Sequence, residues 1–264
     1  MRIVFFGNTH VAVKVIDFLR SKGEEVAGLV LHDEGKRVLG DEIAAAAGLP
    51  PSSVISAGDL KSEPAIQRLR ELNADIGFSA LFGHILKPPV LTMFPRGILN
   101  VHPGYLPWNR GRNAQVWAII EHTPAGATLH YMNEGVDTGP IVDRIEVPVE
   151  PTDTGASLRV RLEQACVDVV KRGWPAVVAG VTPAPQDPSE GTSHRAAEVE
   201  RIGRLDLDAT YRGGDLIDLL RALTSQPMAD GAYFDTPQGR VRVRVELESN
   251  SSPGQKKSPS GRKG

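Results

Sequence analysis

Residues 1–31, MRIVFFGNTHVAVKVIDFLRSKGEEVAGLVL, decide the fold class. Arg2–Phe6 is a compact apolar run that stops at Gly7, the pattern of a strand buried on both faces. Val11, Val15, Phe18 and Leu19 follow at helical spacing, and Val26–Leu31 is a second apolar run. A strand, a helix and a strand in this order form a βαβ unit, whose two strands lie parallel. The alternation continues along the chain. Helices are predicted over Asp41–Ala47, Glu63–Leu72 and Asn113–Ile120, and strands over Ile76–Leu81, Gly97–Val101, Ala127–Met132 and Pro140–Val149. The last reads IVDRIEVPV, the alternation of a half-exposed antiparallel strand. Thr154–Val178 is the longest helical pattern, with Thr154 as its N-cap and Gly180 as its stop. The expectation is an α/β fold with a mostly parallel sheet. Its site should lie at the carboxyl ends of strands, where Gly7–His10 and Asn100–Pro103 stand out.

Beyond residue 180 the pattern breaks. Residues 181–198 include PAPQDPSEGTSH and read as a linker or crossing loop. Asp215–Leu223 then reads as a short amphipathic helix, and Gly231–Asp235 with Arg240–Glu248 as a hairpin around PQG. In the second arm, RVRVRVELE, one face is apolar and the other charged. An apolar face of this kind either covers the main domain or pairs across a symmetric dimer. The expected organisation is a catalytic unit over 1–180, an appendage over 181–248 and a disordered basic tail over 249–264. That tail has no aliphatic or aromatic side chain with which to offset its ordering entropy.

Composition narrows the function. The 264 residues are 41% hydrophobic and 23% charged, ordinary for a soluble globular chain. The one cysteine, Cys166, excludes an internal disulfide and a cysteine zinc cluster. No apolar run of about 18 residues is present, and MRIVFFGN has no signal-peptide pattern, so a cytoplasmic location is expected. The net charge of −2 conceals a split. Residues 249–264 hold four basic groups and no acidic one, leaving 26 basic and 32 acidic groups in the body. Such a body offers little to a phosphate backbone. The first strand is not followed by G-x-G-x-x-G, and the chain has no Walker A sequence or H-E-x-x-H. No metal is expected.

The chemistry is concentrated in residues 99–141. Asn100 and His102 alternate on a strand and share a face, and Pro103-Gly104 ends the strand there. Asp137 lies in the turn-like GVDTG. An imidazole accepts a proton near neutral pH, and an amide donates to a developing oxyanion. A carboxylate orients the imidazole and stabilises its charged form. Together these groups suit acyl transfer to an amine without a covalent intermediate. His10, His84 and His130 are weaker polar candidates; His32, His122 and His194 give no strong signal.

The sequence resembles the folate-dependent formyltransferases over most of residues 1–180. The resemblance rests on FFG at 5–7, FGHILKP at 82–88, N-x-H-P at 100–103, LP-x-x-RG at 106–111 and GVDTGPI at 135–141. It implies a Rossmann-like sheet and transfer of formyl from N10-formyltetrahydrofolate to a primary amine. The family's catalytic asparagine, histidine and aspartate fall on Asn100, His102 and Asp137. Its folate pocket, made largely of main chain, falls on Phe82, Gly83, His84, Ile85 and Leu86, with Asn133, Glu134, Gly135 and Val136 beside Asp137.

Within the family the chain most resembles the sugar N-formyltransferases, which act on an amino sugar linked to a nucleoside diphosphate. The stretches at 102–139, 193–211 and 216–234, with RVRVELE after them, carry this resemblance. The family often has an aromatic or proline pair before GAYF, where this chain has SQPMAD. The resemblance also implies a homodimer formed through the C-terminal region. The residues suit such a substrate. Arg110 and Arg112 would take the diphosphate and Asn109 would add a donor, while Tyr105 and Trp108 would stack on the base or line the sugar pocket. A solvated loop for the arginines and plain packing for Trp108 are the alternatives. Two other functions stay open. Methionyl-tRNA formylation would need a basic surface and usually a larger C-terminal barrel, against 68 residues between Val181 and Glu248. A folate-binding protein without catalysis would have no use for all three polar residues.

Overall fold

The structure is a computed structural model that describes residues 1–225 and 231–249. Residues 226–230, most of the divergent SQPMAD stretch, and residues 250–264, nearly all of the basic tail, lie outside the described residues.

The opening βαβ unit comprises β1 (Arg2–Gly7), α1 (His10–Ser21) and β2 (Glu25–Leu31). The sheet continues through β3 (Val54–Ser56), β4 (Ile76–Ala80) and β5 (Ile98–His102), and two antiparallel strands close it, β7 (Gly126–Tyr131) and β8 (Ile141–Glu146). The strand order is β3-β2-β1-β4-β5-β7-β8, parallel as far as β5. The short edge strand β3 was not expected from the sequence. With three residues it is too short to show a periodicity.

Strict alternation in β1 divides the core. Ile3 and Phe5 face the layer of α1, α2 (Gly40–Ala47) and α5 (Gly155–Val178). Val4 and Phe6 face α3 (Glu63–Glu71) and the segment through Phe94. Each large apolar side chain fully buried this way contributes about 1.5–3 kcal/mol. Trp174 of α5, 2% exposed, packs against Phe78 of β4 and fixes the helix to the sheet. The predicted cap of α5 is present: Thr154 Oγ1 accepts from Ser157 N–H, and Ser157 Oγ accepts from Thr154 N–H. Such a cap stabilises the helix by about 1 kcal/mol.

A third cluster joins α4 (Ala114–Ile120) and the start of α5 to α6 (Ala196–Gly203) and α7 (Gly213–Leu223). Buried Arg221 ties α7 down by donating to the carbonyls of Glu150 and Asp153. The hairpin is shorter than expected: β10 (Tyr233–Thr236) pairs with β11 (Gly239–Arg242), and one more bond in the same register joins Val243 N–H to the carbonyl of Ala232. Beyond it the second arm leaves the ladder, and Val245 N–H reaches Thr224 Oγ1. Alternation alone cannot show where a partner strand runs out.

The stretch read as a linker or crossing loop is a crossing strap. Ala184 exchanges main-chain bonds of 2.8 and 2.7 Å with Ile141 at the edge of β8. Further on, β9 (Ser193–His194) pairs in parallel with β6 (Arg110–Gly111). It thereby crosses the carboxyl end of the sheet, where the expected site lies.

Candidate active site

Strand β5 presents Asn100 and His102 on one face, as its alternation requires. Register with β7 sets Asn100 opposite His130 and His102 opposite Thr128. Thr128 Oγ1 donates to the carbonyl of Gly104 at 2.7 Å and accepts from Leu106 N–H at 3.1 Å, pinning the turn after His102. That turn requires glycine: a Cβ on Gly104 would stand 2.6 Å from His102 Nε2.

The three predicted polar residues converge. His102 Nε2 meets the main-chain carbonyl of Asn109 at 3.0 Å, and its Nδ1 faces Asp137 Oδ2 at 3.4 Å. Gly111 N–H donates to the same Oδ2 at 2.9 Å. Asn100 Nδ2 lies 3.1 Å from His130 Nε2 and 3.5 Å from Asp137 Oδ1. His130 is 1% exposed, and its Nδ1–H donates to the carbonyl of Tyr131 at 2.9 Å. Its Nε2 therefore accepts, and fixes one N–H of the Asn100 amide. Burial alone would raise the Asp137 pKa. The opposing pull of His102, then His130, then the Gly111 N–H is stronger and holds this carboxyl well below the usual carboxylate range. It is ionised at neutral pH.

These groups open into a cavity of about 690 Å³. One wall carries Phe82, Gly83, His84, Ile85 and Leu86 and the other Asn133, Glu134, Gly135 and Val136, all of them predicted. Among the described residues, the main-chain groups of residues 83–86 make no main-chain hydrogen bond. Ile85 and Val136 stand 68% and 46% exposed on this cavity. Free main-chain donors and acceptors beside exposed apolar side chains suit a flat heterocycle with amide-like edges. His32 donates from Nε2 to the carbonyl of Phe82 while Asn8 holds its Nδ1, so this wall is braced from β2. Burial, with His32 adding to it, pushes the His84 imidazole down, so His84 meets the cavity uncharged.

The loop between β5 and α4 departs from expectation. Of the five residues assigned to substrate there, Arg112 lines the cavity and the other four do not. Arg110 is buried and donates to Gln186 Oε1 and the carbonyl of Asp187. Asn109 is 1% exposed and is bonded to Thr123, Pro124 and Thr192. The Tyr105 ring lies under Arg144, whose guanidinium carbon is 4.5 Å from its centre. Trp108 is half-buried outside the cavity. His10 is exposed at the start of α1, 3.4 Å from Glu163.

Other residues, not singled out in the sequence as ligands, also line the cavity. Arg159, Leu162 and Glu163 of α5, with His194 and Arg195 of the strap and Ala196 at the start of α6, line the same cavity. His194 stacks on Trp117 at 3.9 Å, between Glu198 at 3.2 Å and Glu121 at 3.3 Å. No group of side chains placed to hold a metal ion, and no helix long and apolar enough to cross a membrane, occurs among the described residues.

A mostly parallel sheet here gathers amide, imidazole and carboxylate beside a main-chain cradle, and the family match makes the chain a formyl-transferring enzyme. The chain belongs to the formyl transferase family, whose description matches residues 1–172. Residues 198–249 match the N-formyltransferase dimerization C-terminal domain. A sugar N-formyltransferase from Shewanella sp FDAARGOS_354 is 26% identical and superposes with a TM-score of 0.80, covering 94% of this chain and 98% of that one. A formyltransferase from Anoxybacillus kamchatkensis, solved with UDP-4,6-dideoxy-4-formamido-L-AltNAc and tetrahydrofolate, is also 26% identical. Its TM-score is 0.57, over 76% of this chain and 89% of that one. The methionyl-tRNA formyltransferase of Symbiobacterium thermophilum is 28% identical over 264 aligned positions, spanning 96% of this chain and 78% of the relative.

Proposed function

We propose that the protein formylates the primary amine of a nucleotide-linked amino sugar, with N10-formyltetrahydrofolate as co-substrate. The observation that carries the reading is the placing of Arg112, Arg159 and Arg195 on the cavity that holds Asn100, His102 and Asp137. Three guanidinium groups there match a diphosphate, while the body of the chain is acidic overall. The full-length likeness to the Shewanella sugar N-formyltransferase supports it.

The co-substrate supplies an activated formyl carbonyl, and residues 82–86 and 133–136 would hold its ring. The work of the chain's own residues follows from their bonds. Asn100 has one N–H fixed by His130 and holds the other in a long 3.5 Å contact with Asp137 Oδ1, from which it would turn to the formyl oxygen as negative charge grows there. His102 is anchored through Nε2–H to the Asn109 carbonyl, which leaves Nδ1 as the basic atom. A proton leaving the attacking amine, directly or through water, is received at Nδ1 and stabilised by Asp137 Oδ2. Holding both substrates in one cavity supplies much of the acceleration.

We assign the catalytic unit to residues 1–180 and the appendage to 181–248, with homodimerisation through the matched C-terminal region. Ile217 of α7 and Val241 of β11, 52% and 41% exposed, are apolar positions for that contact.

The reading is tested by thermal shift with dTDP, UDP and GDP and, separately, by binding of initiator tRNA. One nucleotide at about 100 times its Kd should stabilise the protein by about 2.7 kcal/mol. Salt-sensitive tRNA binding with no response to any nucleotide would transfer the protein to the tRNA reading, which the Symbiobacterium relative favours.

A further inference from the structure

The strap places one side chain against both catalytic loops. Gln186 Nε2 donates to the main-chain carbonyls of Asp137 at 2.9 Å and Gly139 at 2.7 Å. Its Oε1 accepts from Arg110 Nε at 3.2 Å and Nη2 at 3.1 Å. Both amide hydrogens and the carbonyl are thus in use. Arg110 precedes Gly111, whose N–H holds Asp137 Oδ2 at 2.9 Å. The bonds close a ring from Gln186 through Arg110 and Gly111 to Asp137 and back to Gln186.

Asp137 needs such a holder. Its φ of +53° lies in the left-handed region, which a residue other than glycine keeps only where its surroundings impose it. Within the turn, Asn133 Oδ1 accepts from Gly135 N–H and from the Thr138 hydroxyl, and just beyond it the Pro140 carbonyl accepts from Tyr131 N–H. Those bonds set the shape of the turn but not its distance from Gly111 and His102. Gln186 spans that gap and does not itself line the cavity.

We propose that Gln186 is a positioning residue for formyl transfer: its amide fixes the Asp137 turn against Arg110-Gly111, so that one carboxylate oxygen meets both Gly111 N–H and His102 Nδ1. The inference rests on the assignment of Asp137 to the chemistry and extends it to a residue of the strap. It also accounts for the burial of Arg110, whose guanidinium is the anchor for Gln186 and not a phosphate ligand.

Two variants separate the parts. Gln186→Ala removes the whole link. Gln186→Glu is isosteric and keeps an acceptor for Arg110, but sets a carboxylate oxygen against two carbonyl oxygens. Both should lower kcat for formyl transfer on the order of 10²-fold, the cost of a small misplacement at a reacting centre. The KM for folate should change little, while the melting temperature should fall, since Arg110 and two carbonyls lose their partner. A second readout needs no acceptor. The carboxyl ¹³C resonance of Asp137, assigned by its loss in Asp137→Asn, should titrate upward in both variants, toward about 3.9.

If the resonance titrates as in the wild type in a folded variant, the proposal is overturned whatever the acceptor. If the titration moves while kcat stays at the wild-type value, both the proposal and the catalytic assignment of Asp137 fall. Gln186→Glu provides the same test should Gln186→Ala not fold.

Discussion

His102 stands between two acceptors: Asp137 Oδ2 lies 3.4 Å from Nδ1 and the Asn109 carbonyl 3.0 Å from Nε2. A neutral imidazole can donate to one of them, whereas an imidazolium donates to both. A proton taken up at Nδ1 supplies the donor that Asp137 Oδ2 lacks while the imidazole is neutral.

Asn100 is placed to steady the formyl oxygen, and its amide is oriented by His130. Asn100→Ala should lower kcat by about 10²–10³-fold, the usual cost of losing one oxyanion donor, with the KM for folate little changed. Asn100→Asp should be worse, because it sets a second carboxylate against Asp137. Steady-state kinetics on the two variants check both statements.

Asp137 makes acid stability depend on one site. Its folded pKa is depressed, so the stabilisation is present at neutral pH and is lost as pH falls through the folded value. The loss should be felt from about pH 5 downward. Asp137→Asn should flatten this part of the profile, and melting temperatures measured between pH 7 and pH 3 for both proteins test it. A wild-type acid-side fall retained in Asp137→Asn would show that other carboxyl groups dominate.

Arg112, Arg159 and Arg195 should act on binding rather than on chemistry. Each change to alanine should raise the KM for the nucleotide-linked acceptor while kcat and the KM for folate stay near wild type. Arg159 should matter least, since its guanidinium already pairs with Glu163 at 2.8 Å. Added salt should weaken acceptor binding to the wild type and do so less in the variants.

Gly111→Ala should damage stability and turnover together. Gly111 has a φ of +93°, and a Cβ there would collide with the His194 carbonyl of the strap. The substitution should cost more than about 1 kcal/mol and shift the N–H that holds Asp137. Denaturant unfolding and kcat, measured on the same preparation, give the comparison.

Much of this architecture is written in local patterns. β1 and α1 follow from apolar spacing alone, and the Thr154 cap follows from one residue type before a helical run. Asn100 and His102 share a face because strands alternate, and that geometry needs no partner to be known. The LPWNRG loop was harder to read. Arg110 and Asn109 look like exposed donors in the sequence, yet both are engaged by residues 76 to 83 positions away. Nothing local marks a polar side chain as the partner of a distant strap. The same holds for Gln186, which sits in a stretch whose Pro and Ser content reads as linker, and for Arg159, one charged position among many on α5. His194 showed no strong signal because its partners Trp117, Glu121 and Glu198 come from two other helices.

The central claim is tested most directly by supplying N10-formyltetrahydrofolate with a panel of dTDP-, UDP- and GDP-linked amino sugars, and with methionyl-tRNA, and assaying formamide product by mass. The account predicts formamide on one class of nucleotide-linked amino sugar and none on tRNA. His102→Ala should lower that turnover by about 10²–10⁴-fold while remaining folded. Formylation of methionyl-tRNA with no turnover of any nucleotide sugar would contradict it.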